Sequence, residues 1–337
     1  PNNPNLIPAL QWVVIGCLIL LFLWFRPQGV LPERKRRLAT RLPRDDAGSP
    51  DGLDAAAGSA GRDPIELPVA ALSLGSAPIG GSAPDHDVIL ECRDLVRAFD
   101  GVRAVDGVSM QFERGRLTGV IGPNGAGKST VLAMLAGTLA ATEGRVLFKG
   151  EDVTSLPAYR RARLGLVRTF QLASEFKRLT VLENLVSAVP EQRGESFRGA
   201  LLGRRYWGAQ ERAAIELAQD TLDRFGLLAL ADRYAGELSG GQRRLVEIMR
   251  ALMARPDVIL LDEPMAGVHP RLAHQIGMAL VGLCEGGTTV VMVEHELSIM
   301  DEFCDPVFVL AEGRVLAAGT MAALRATEEV VEAYLVG

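Results

Sequence analysis

The segment GPNGAGKST, at Gly122 to Thr130, has the composition of a loop that binds phosphate groups through its backbone. Glycines allow backbone amides to approach phosphate oxygens without a Cβ in the way. A helix is predicted to follow the loop, and its first amides and dipole favour an anion. Lys128 neutralises charge between two phosphates, and Ser129 offers a hydroxyl to Mg²⁺. We predict a nucleoside triphosphate and Mg²⁺ site formed by Gly122, Pro123, Asn124, Gly125, Ala126, Gly127, Lys128, Ser129 and Thr130. This loop alone leaves GTPases, kinases, helicases and transporters open.

Two carboxylates follow a strand elsewhere in the chain. The apolar run Val258 to Leu261 is typical of a central parallel strand, and it ends in Asp262 and Glu263. Ligands of parallel sheets bind at the carboxyl ends of the strands. We predict that Asp262 binds Mg²⁺ and that Glu263 orients or deprotonates the attacking water.

A third strand is predicted at Thr288 to Val293, and it ends in Glu294 and His295. Three strands would then deliver polar groups to one edge of the sheet, since Leu117 to Ile121 precedes the phosphate loop. His295 is predicted to contact the γ-phosphate and to steady the attacking water.

The sequence LSGGQ, at Leu238 to Gln242, predicts a second anion site. Ser239 and Gln242 have the spacing of a capping box, and Gly240 and Gly241 leave the helix start open to a phosphate. Because one chain already has a phosphate loop, a second helix start of this kind completes the site of another domain. We therefore predict a head-to-tail pair of domains that encloses two ATP molecules.

These motifs, in this order, resemble those of the ATP-binding cassette (ABC) ATPases over about 250 residues. The resemblance implies that Gln171, in RTFQ, reaches Mg²⁺ and the water, and that Phe99 stacks on adenine. His269 stands where the family usually has Asp or Asn, in a loop that crosses the dimer interface. The resemblance also implies permease domains and a second ABC ATPase domain as partners, and a substrate-binding protein.

Within that family, the stretch QRRLVEIMRALMARPDVILLDEPMAGVHP and the final VVEAYLVG are most similar to branched-chain amino acid importer ATPases. Import of urea or short amides and lipopolysaccharide export remain alternatives. A non-transport switch ATPase is the alternative from another class, but such proteins usually carry two cassettes or a long coiled-coil insertion. An inactive regulatory cassette is disfavoured, because every motif residue needed for hydrolysis is present.

The pattern from residue 87 to residue 337 predicts one α/β domain of the P-loop NTPase type, with a parallel sheet covered by helices. Residues 172–250 are predicted to contain an inserted helical subdomain. Thr180 and Glu183 have capping-box spacing and predict the start of one of its helices.

The N-terminal 37 residues predict a membrane anchor. Ile7 to Phe25 has no charged residue and is long enough to span a bilayer, and basic residues follow it on one side only. The downstream chain is therefore expected at the cytoplasmic face of the membrane. LFLWFRPQGVLPER, at Leu21 to Arg34, resembles the end of branched-chain amino acid permeases. Because the chain starts at Pro1, we expect a fusion in which it begins inside the last permease helix.

Residues 38–86 are rich in Ala, Gly, Pro, Ser and Asp, which predicts a flexible linker. Within it, Ile65 to Leu74 is apolar; it is interpreted as a patch of linker, with docking on a partner as the alternative. The net charge of -5 gives no reason to expect nucleic acid as a partner. The four cysteines have neither zinc-site spacing nor the density of a disulfide scaffold.

Overall fold

The structure, a computed structural model, describes residues 87–99, 101–169, 176–192 and 204–335. The predicted transmembrane helix, the permease-like tail and the linker, including Ile65 to Leu74, all lie outside the described residues. Gln171 also lies outside them. No helix in the described part of the chain is long and apolar enough to cross a membrane.

The described chain begins with an antiparallel sheet that was not predicted. Its strands are β1 (Val88–Phe99), β2 (Val102–Glu113), β4 (Glu143–Phe148) and β5 (Glu151–Asp152), in the order β2-β1-β4-β5. Only two residues separate β1 from β2, and so short a connection joins antiparallel strands. The expectation of parallel pairing alone was therefore wrong for this part.

A second, six-stranded sheet carries the motifs, in the order β10-β9-β3-β8-β7-β6. Four of its five neighbouring strand pairs are parallel, and the fifth pair, β10 with β9, is antiparallel. Every residue of β3, β7 and β8 is buried, as expected for central parallel strands. The strands are β3 (Leu117–Ile121), β6 (Leu166–Arg168), β7 (Val258–Asp262), β8 (Thr289–Val293), β9 (Val307–Ala311) and β10 (Arg314–Gly319).

Nine helices are described. They are α1 (Lys128–Ala136), α2 (Ala158–Leu164), α3 (Val181–Val186), α4 (Arg204–Arg224), α5 (Gly240–Leu252), α6 (Pro270–Glu285), α7 (Leu297–Phe303), α8 (Met321–Arg325) and α9 (Glu328–Leu335). Between β6 and β7 the described chain is helical, with 3₁₀ turns at Leu228–Leu230 and Ala235–Glu237. The predicted capping box is confirmed, since Thr180 and Glu183 each accept a hydrogen bond from the other's backbone amide.

The main core lies around α1, whose apolar side chains are buried together with residues from both sheets. This packing fixes the helix that follows the phosphate loop against the strands that carry the other motifs. Buried members include Val131, Leu132 and Leu135 of α1, Leu90 and Phe112 of the first sheet, and Val120, Leu260 and Val291 of the second.

Three buried thiols, of Cys92, Cys284 and Cys304, form no disulfide. Burial raises the pKa of Cys92 and of Cys284 to about 12, so neither thiol is a nucleophile at neutral pH. Among the described residues no group of three or more His, Cys, Asp or Glu side chains is arranged to hold a metal ion by itself.

Candidate active site

The phosphate loop connects the end of β3 to the first residue of α1. Gly127 is the N-cap of α1 and has a φ of 94°, in the left-handed region that favours glycine. A Cβ at this position would lie 2.5 Å from the carbonyl oxygen of Ala104, so no larger residue fits. The loop therefore runs close against β2, and its shape depends on the first sheet.

Lys128 lies at the centre of this loop and is only 6% exposed. Its Nζ donates to the carbonyl oxygens of Gly122, at 2.7 Å, and Pro123, at 3.0 Å. Burial lowers the pKa of Lys128, while the nearby carboxylates of Glu263 and Asp262 act in the opposite direction. The ammonium group is thus held where the loop surrounds it.

Ser129 and Asp262 form the part of the site suited to Mg²⁺. The hydroxyl of Ser129 donates to Oδ1 of Asp262 at 3.2 Å, and Asp262 is 2% exposed. Mg²⁺ is usually bound by one or two protein oxygens together with phosphate oxygens and water, so a hydroxyl beside a carboxylate fits it. The second carboxylate oxygen, Oδ2, accepts a hydrogen bond from Arg168 at 2.8 Å.

Glu263 and His295 meet at the same edge of the sheet. Oε1 of Glu263 lies 3.0 Å from Nε2 of His295, and the amide of Glu263 donates to the carbonyl of Val293 at 2.9 Å. This contact follows from the parallel pairing of β7 with β8, which places the two strand ends side by side. A carboxylate can only accept, so the imidazole Nε2 carries the proton in this contact.

Buried Glu294 supports the turn that follows Glu263. It accepts from the amide of Met265 at 2.6 Å and from that of His295 at 3.2 Å. Burial raises the pKa of Glu294, and these two hydrogen bonds oppose the rise. Glu294 therefore ties the end of β8 to the loop after β7.

The LSGGQ motif forms the start of α5, and its capping box is present as predicted. The amide of Ser239 donates to the side chain of Gln242 at 3.0 Å, and the amide of Gln242 donates to Ser239 Oγ at 3.3 Å. Gly240 is exposed, and a Cβ there would meet nothing within 4 Å. No hydrogen bond between described residues joins this motif to the phosphate loop, and the helix start is open to an outside group.

Of the two remaining predicted site residues, the structure describes Phe99 and does not describe Gln171. Phe99 ends β1 and is 44% exposed, and the guanidinium of Arg97 lies 4.7 Å from its ring centroid. Its ring is therefore accessible to a planar ligand. Gln171 falls between described segments, so its position relative to Ser129 and Asp262 stays a prediction.

Arg168 is a site residue that was not predicted. It ends β6, the neighbour of β7, and its side chain reaches both Asp262 and Thr138 Oγ1. The available signal was its position at the end of a strand, three residues before Gln171. Its contact with Asp262 depends on the order of strands in the sheet, which the sequence does not state.

His269 takes a local role in the structure. It is the N-cap of α6, and its Nδ1 accepts a hydrogen bond from the amide of Arg271 at 3.3 Å. Asp and Asn are preferred at such positions for the same reason. The side chain is exposed, which leaves Nε2 accessible from outside the domain.

Comparisons with known proteins agree with this geometry. A family model described as ABC transporter matches residues 105–266. The chain is 40% identical over 247 residues to a probable branched-chain amino acid transport ATP-binding protein of Archaeoglobus fulgidus, covering 73% of this chain and 95% of that protein. It is 37% identical to the high-affinity branched-chain amino acid transport ATP-binding protein of Pseudomonas aeruginosa, covering 73% and 97%.

Solved structures lead to the same group. A nucleotide-free ATP-binding cassette from an ABC transporter matches with a TM-score of 0.65 and 39% identity, covering 73% of this chain and 98% of that one. The ADP conformation of an ATP-binding cassette of an ABC transporter matches with a TM-score of 0.64 and 39% identity, covering 74% and 99%.

Proposed function

Because this chain belongs to the family of ABC transporter ATP-binding subunits, we propose that it hydrolyses ATP to drive import of branched-chain amino acids. The observation that carries the hydrolytic part is the meeting of three strand ends at one edge. There the phosphate loop, the Ser129 and Asp262 pair and the Glu263 and His295 pair lie together. The substrate follows from relatives whose names specify branched-chain amino acid transport.

In the proposed mechanism, the loop amides and Lys128 bind the phosphates, and Phe99 stacks on the adenine. Ser129 and Asp262, with Gln171, would hold Mg²⁺, which would neutralise phosphate charge. Arg168 fixes the Asp262 carboxylate through Oδ2 and leaves Oδ1 beside the Ser129 hydroxyl.

Hydrolysis needs a water in line with the bond between the γ-phosphorus and the β-phosphate oxygen. Glu263 accepts a proton from this water as the new P–O bond forms and the bond to the leaving diphosphate breaks. His295 donates to Glu263 Oε1 and so fixes the carboxylate that faces the water. The protein thus acts mainly by positioning groups and by stabilising charge.

The open start of α5 supports a second part of the proposal, in which two cassettes associate head to tail. Ser239, Gly240, Gly241 and Gln242 of one cassette would then contact the ATP held by the phosphate loop of the other. Because ATP binds the closed pair of cassettes better than the open pair, ATP binding closes the pair and ATP hydrolysis lets it open. Permease domains convert this cycle into transport, with the cassettes on the cytoplasmic side.

A substrate-binding protein is proposed as the partner that delivers the solute. Residues 1–37 are proposed to anchor the cassette to the cytoplasmic membrane as the end of a fused permease. Translating the same frame upstream of Pro1 tests the fusion, which predicts further membrane helices. An immediate stop codon there would contradict it.

The proposed transport substrate is tested by measuring which solute stimulates the ATPase activity. The full chain is reconstituted in lipid vesicles with its permease and binding protein, and hydrolysis is measured with leucine, urea or added lipopolysaccharide. We expect leucine to raise the rate several-fold, and a complex containing Glu263→Gln serves as the background control. Stimulation by urea or lipopolysaccharide instead of leucine would replace the proposed substrate while leaving the ATPase assignment intact.

A further inference from the structure

Arg244, in the second turn of α5, binds the backbone on both sides of Glu263. Its Nε donates to the carbonyl of Pro264 at 3.0 Å, and its Nη2 donates to the carbonyls of Asp262, at 2.9 Å, and Glu263. Three consecutive carbonyls therefore converge on one guanidinium. The planar fork of arginine suits this arrangement, whereas a lysine ammonium on its single stem does not match all three acceptors.

These carbonyls belong to a turn that needs support. Glu263 has a φ of 48°, in the left-handed region, which is strained for any residue other than glycine. The next residue of the turn is fixed by Glu294, which accepts from the amide of Met265. Arg244 and Glu294 thus hold consecutive residues of the same turn, and the direction of the Glu263 side chain follows from that backbone.

Arg244 is itself fixed by a buried carboxylate on the same helix. Its Nη1 donates to Oε2 of Glu247 at 2.6 Å, and the two side chains are 14% and 8% exposed. Glu247 is one helical turn beyond Arg244, so the pair orients the guanidinium along α5. The guanidinium is therefore fixed by a group of its own helix.

A second contact links the LSGGQ end of α5 to the same loop. A Cβ on Gly241 would lie 2.5 Å from Cδ2 of Leu272 and 3.7 Å from Cγ1 of Val268, so the helix start packs closely on the segment after Glu263. A displacement of the start of α5 therefore changes the environment of this loop both at Gly241 and, through the helix, at Arg244.

We propose that Arg244 is a positioning residue that couples the two ATP sites of the dimer. It transmits the effect of contact between its own LSGGQ motif and the partner's ATP to Glu263 of the same cassette. The inference rests on the head-to-tail pair of the proposed function. In that pair the LSGGQ motif contacts one ATP and Glu263 acts on the other, so Arg244 spans the two sites within one chain. Each site then reaches full activity only when the other is filled.

The test measures the steady-state rate of ATP hydrolysis as a function of ATP concentration. It compares Arg244→Met and Arg244→Lys with the wild type, each as the full-length chain. Arg212→Met, an exposed arginine on α4, is the matched control. We expect a wild-type Hill coefficient above 1, a value near 1 for Arg244→Met, and a fall in kcat of at least tenfold. Arg244→Lys should recover part of kcat, because it keeps a donor and the charge, and Arg212→Met should match the wild type.

A companion measurement separates positioning from a general loss of structure. In a Glu263→Gln background, Arg244→Met should form the ATP-dependent dimer at the same ATP concentration as Glu263→Gln alone. A Hill coefficient of 1 for the wild-type protein would overturn the inference. So would an Arg244→Met variant whose kcat and Hill coefficient equal those of the wild type. Loss of ATP binding in Arg244→Met would also overturn it, since Arg244 would then support the fold. Absence of any ATP-dependent dimer, even with Arg244 intact, would instead refute the dimer of the proposed function.

Discussion

Replacement of Arg161 by methionine should destabilise the cassette, although this residue lies outside the catalytic groups. Arg161 is on α2, is 2% exposed, and donates to four carbonyl oxygens. Those of Met134 and Leu135 lie in the last turn of α1, the helix that begins at the phosphate loop. The guanidinium therefore caps the carboxyl end of the phosphate-binding helix, where carbonyls lack partners within the helix.

The size of the effect follows from two opposing contributions. Burial lowers the pKa of Arg161 to about 10, which corresponds to about 3 kcal/mol against the charged form. Methionine avoids that cost. It leaves the carbonyls of Leu135, Thr154 and Leu156 without this donor, at about 2 kcal/mol each, whereas that of Met134 keeps a bond from Gly137. The net loss in the free energy of unfolding is about 3 kcal/mol.

The assay is urea unfolding of the full-length chain in detergent, followed by pulse proteolysis of the cassette. Arg160→Met is the matched control, because Arg160 precedes Arg161 on the same helix and is exposed. We expect Arg161→Met to lower the free energy of unfolding by about 3 kcal/mol, and with it the urea midpoint, and Arg160→Met to change this free energy by less than about 0.5 kcal/mol. Equal midpoints for the two variants would refute the capping role and the energies assigned to the buried guanidinium.

Three further variants test the site. Arg168→Met removes the charge-assisted hydrogen bond to Asp262, which is worth roughly 1.5–3 kcal/mol, and should lower kcat by roughly 10–100-fold, whereas Arg168→Lys should recover part of kcat. An unchanged kcat in Arg168→Met would mean that this bond does not position Asp262. Ser129→Ala should leave ATP binding in EDTA unchanged but raise the Mg²⁺ concentration for half-maximal hydrolysis about tenfold, a loss of about 1.4 kcal/mol; an unchanged Mg²⁺ dependence would remove Ser129 from the metal site. His269→Asp should leave hydrolysis within a few-fold of the wild type, because Asp also caps α6; loss of all activity would mean that the interface needs the imidazole.

Local patterns in the sequence predicted the part of the fold that carries the motifs. The strand Leu117–Ile121 has the predicted limits, and the strands ending near Asp262 and Val293 differ from prediction by one residue at an end. Continuous apolar runs flanked by polar residues account for this accuracy, since a buried strand has no exposed face to interrupt the run. Both capping boxes were predictable because they depend only on residues three apart.

The remaining features depend on contacts that local patterns do not encode. The antiparallel sheet was missed because β1 and β2 also read as apolar segments of a parallel sheet. Arg161, Arg168 and Arg244 each look like ordinary surface arginines in the sequence. Each bonds to residues at least 18 positions away, and those partners are set by the order of strands and the packing of α2 and α5.

The most direct test of the central claim is ATP-dependent dimer formation by Glu263→Gln in full-length chain, measured by light scattering together with steady-state hydrolysis. The glutamine keeps the size of the side chain but accepts no proton, so turnover should fall by roughly 10²–10⁴-fold. A dimer holding two ATP molecules should accumulate, and addition of Ser239→Arg should prevent it without abolishing ATP binding. Hydrolysis by Glu263→Gln at the wild-type rate, or a dimer that Ser239→Arg leaves intact, would contradict the account.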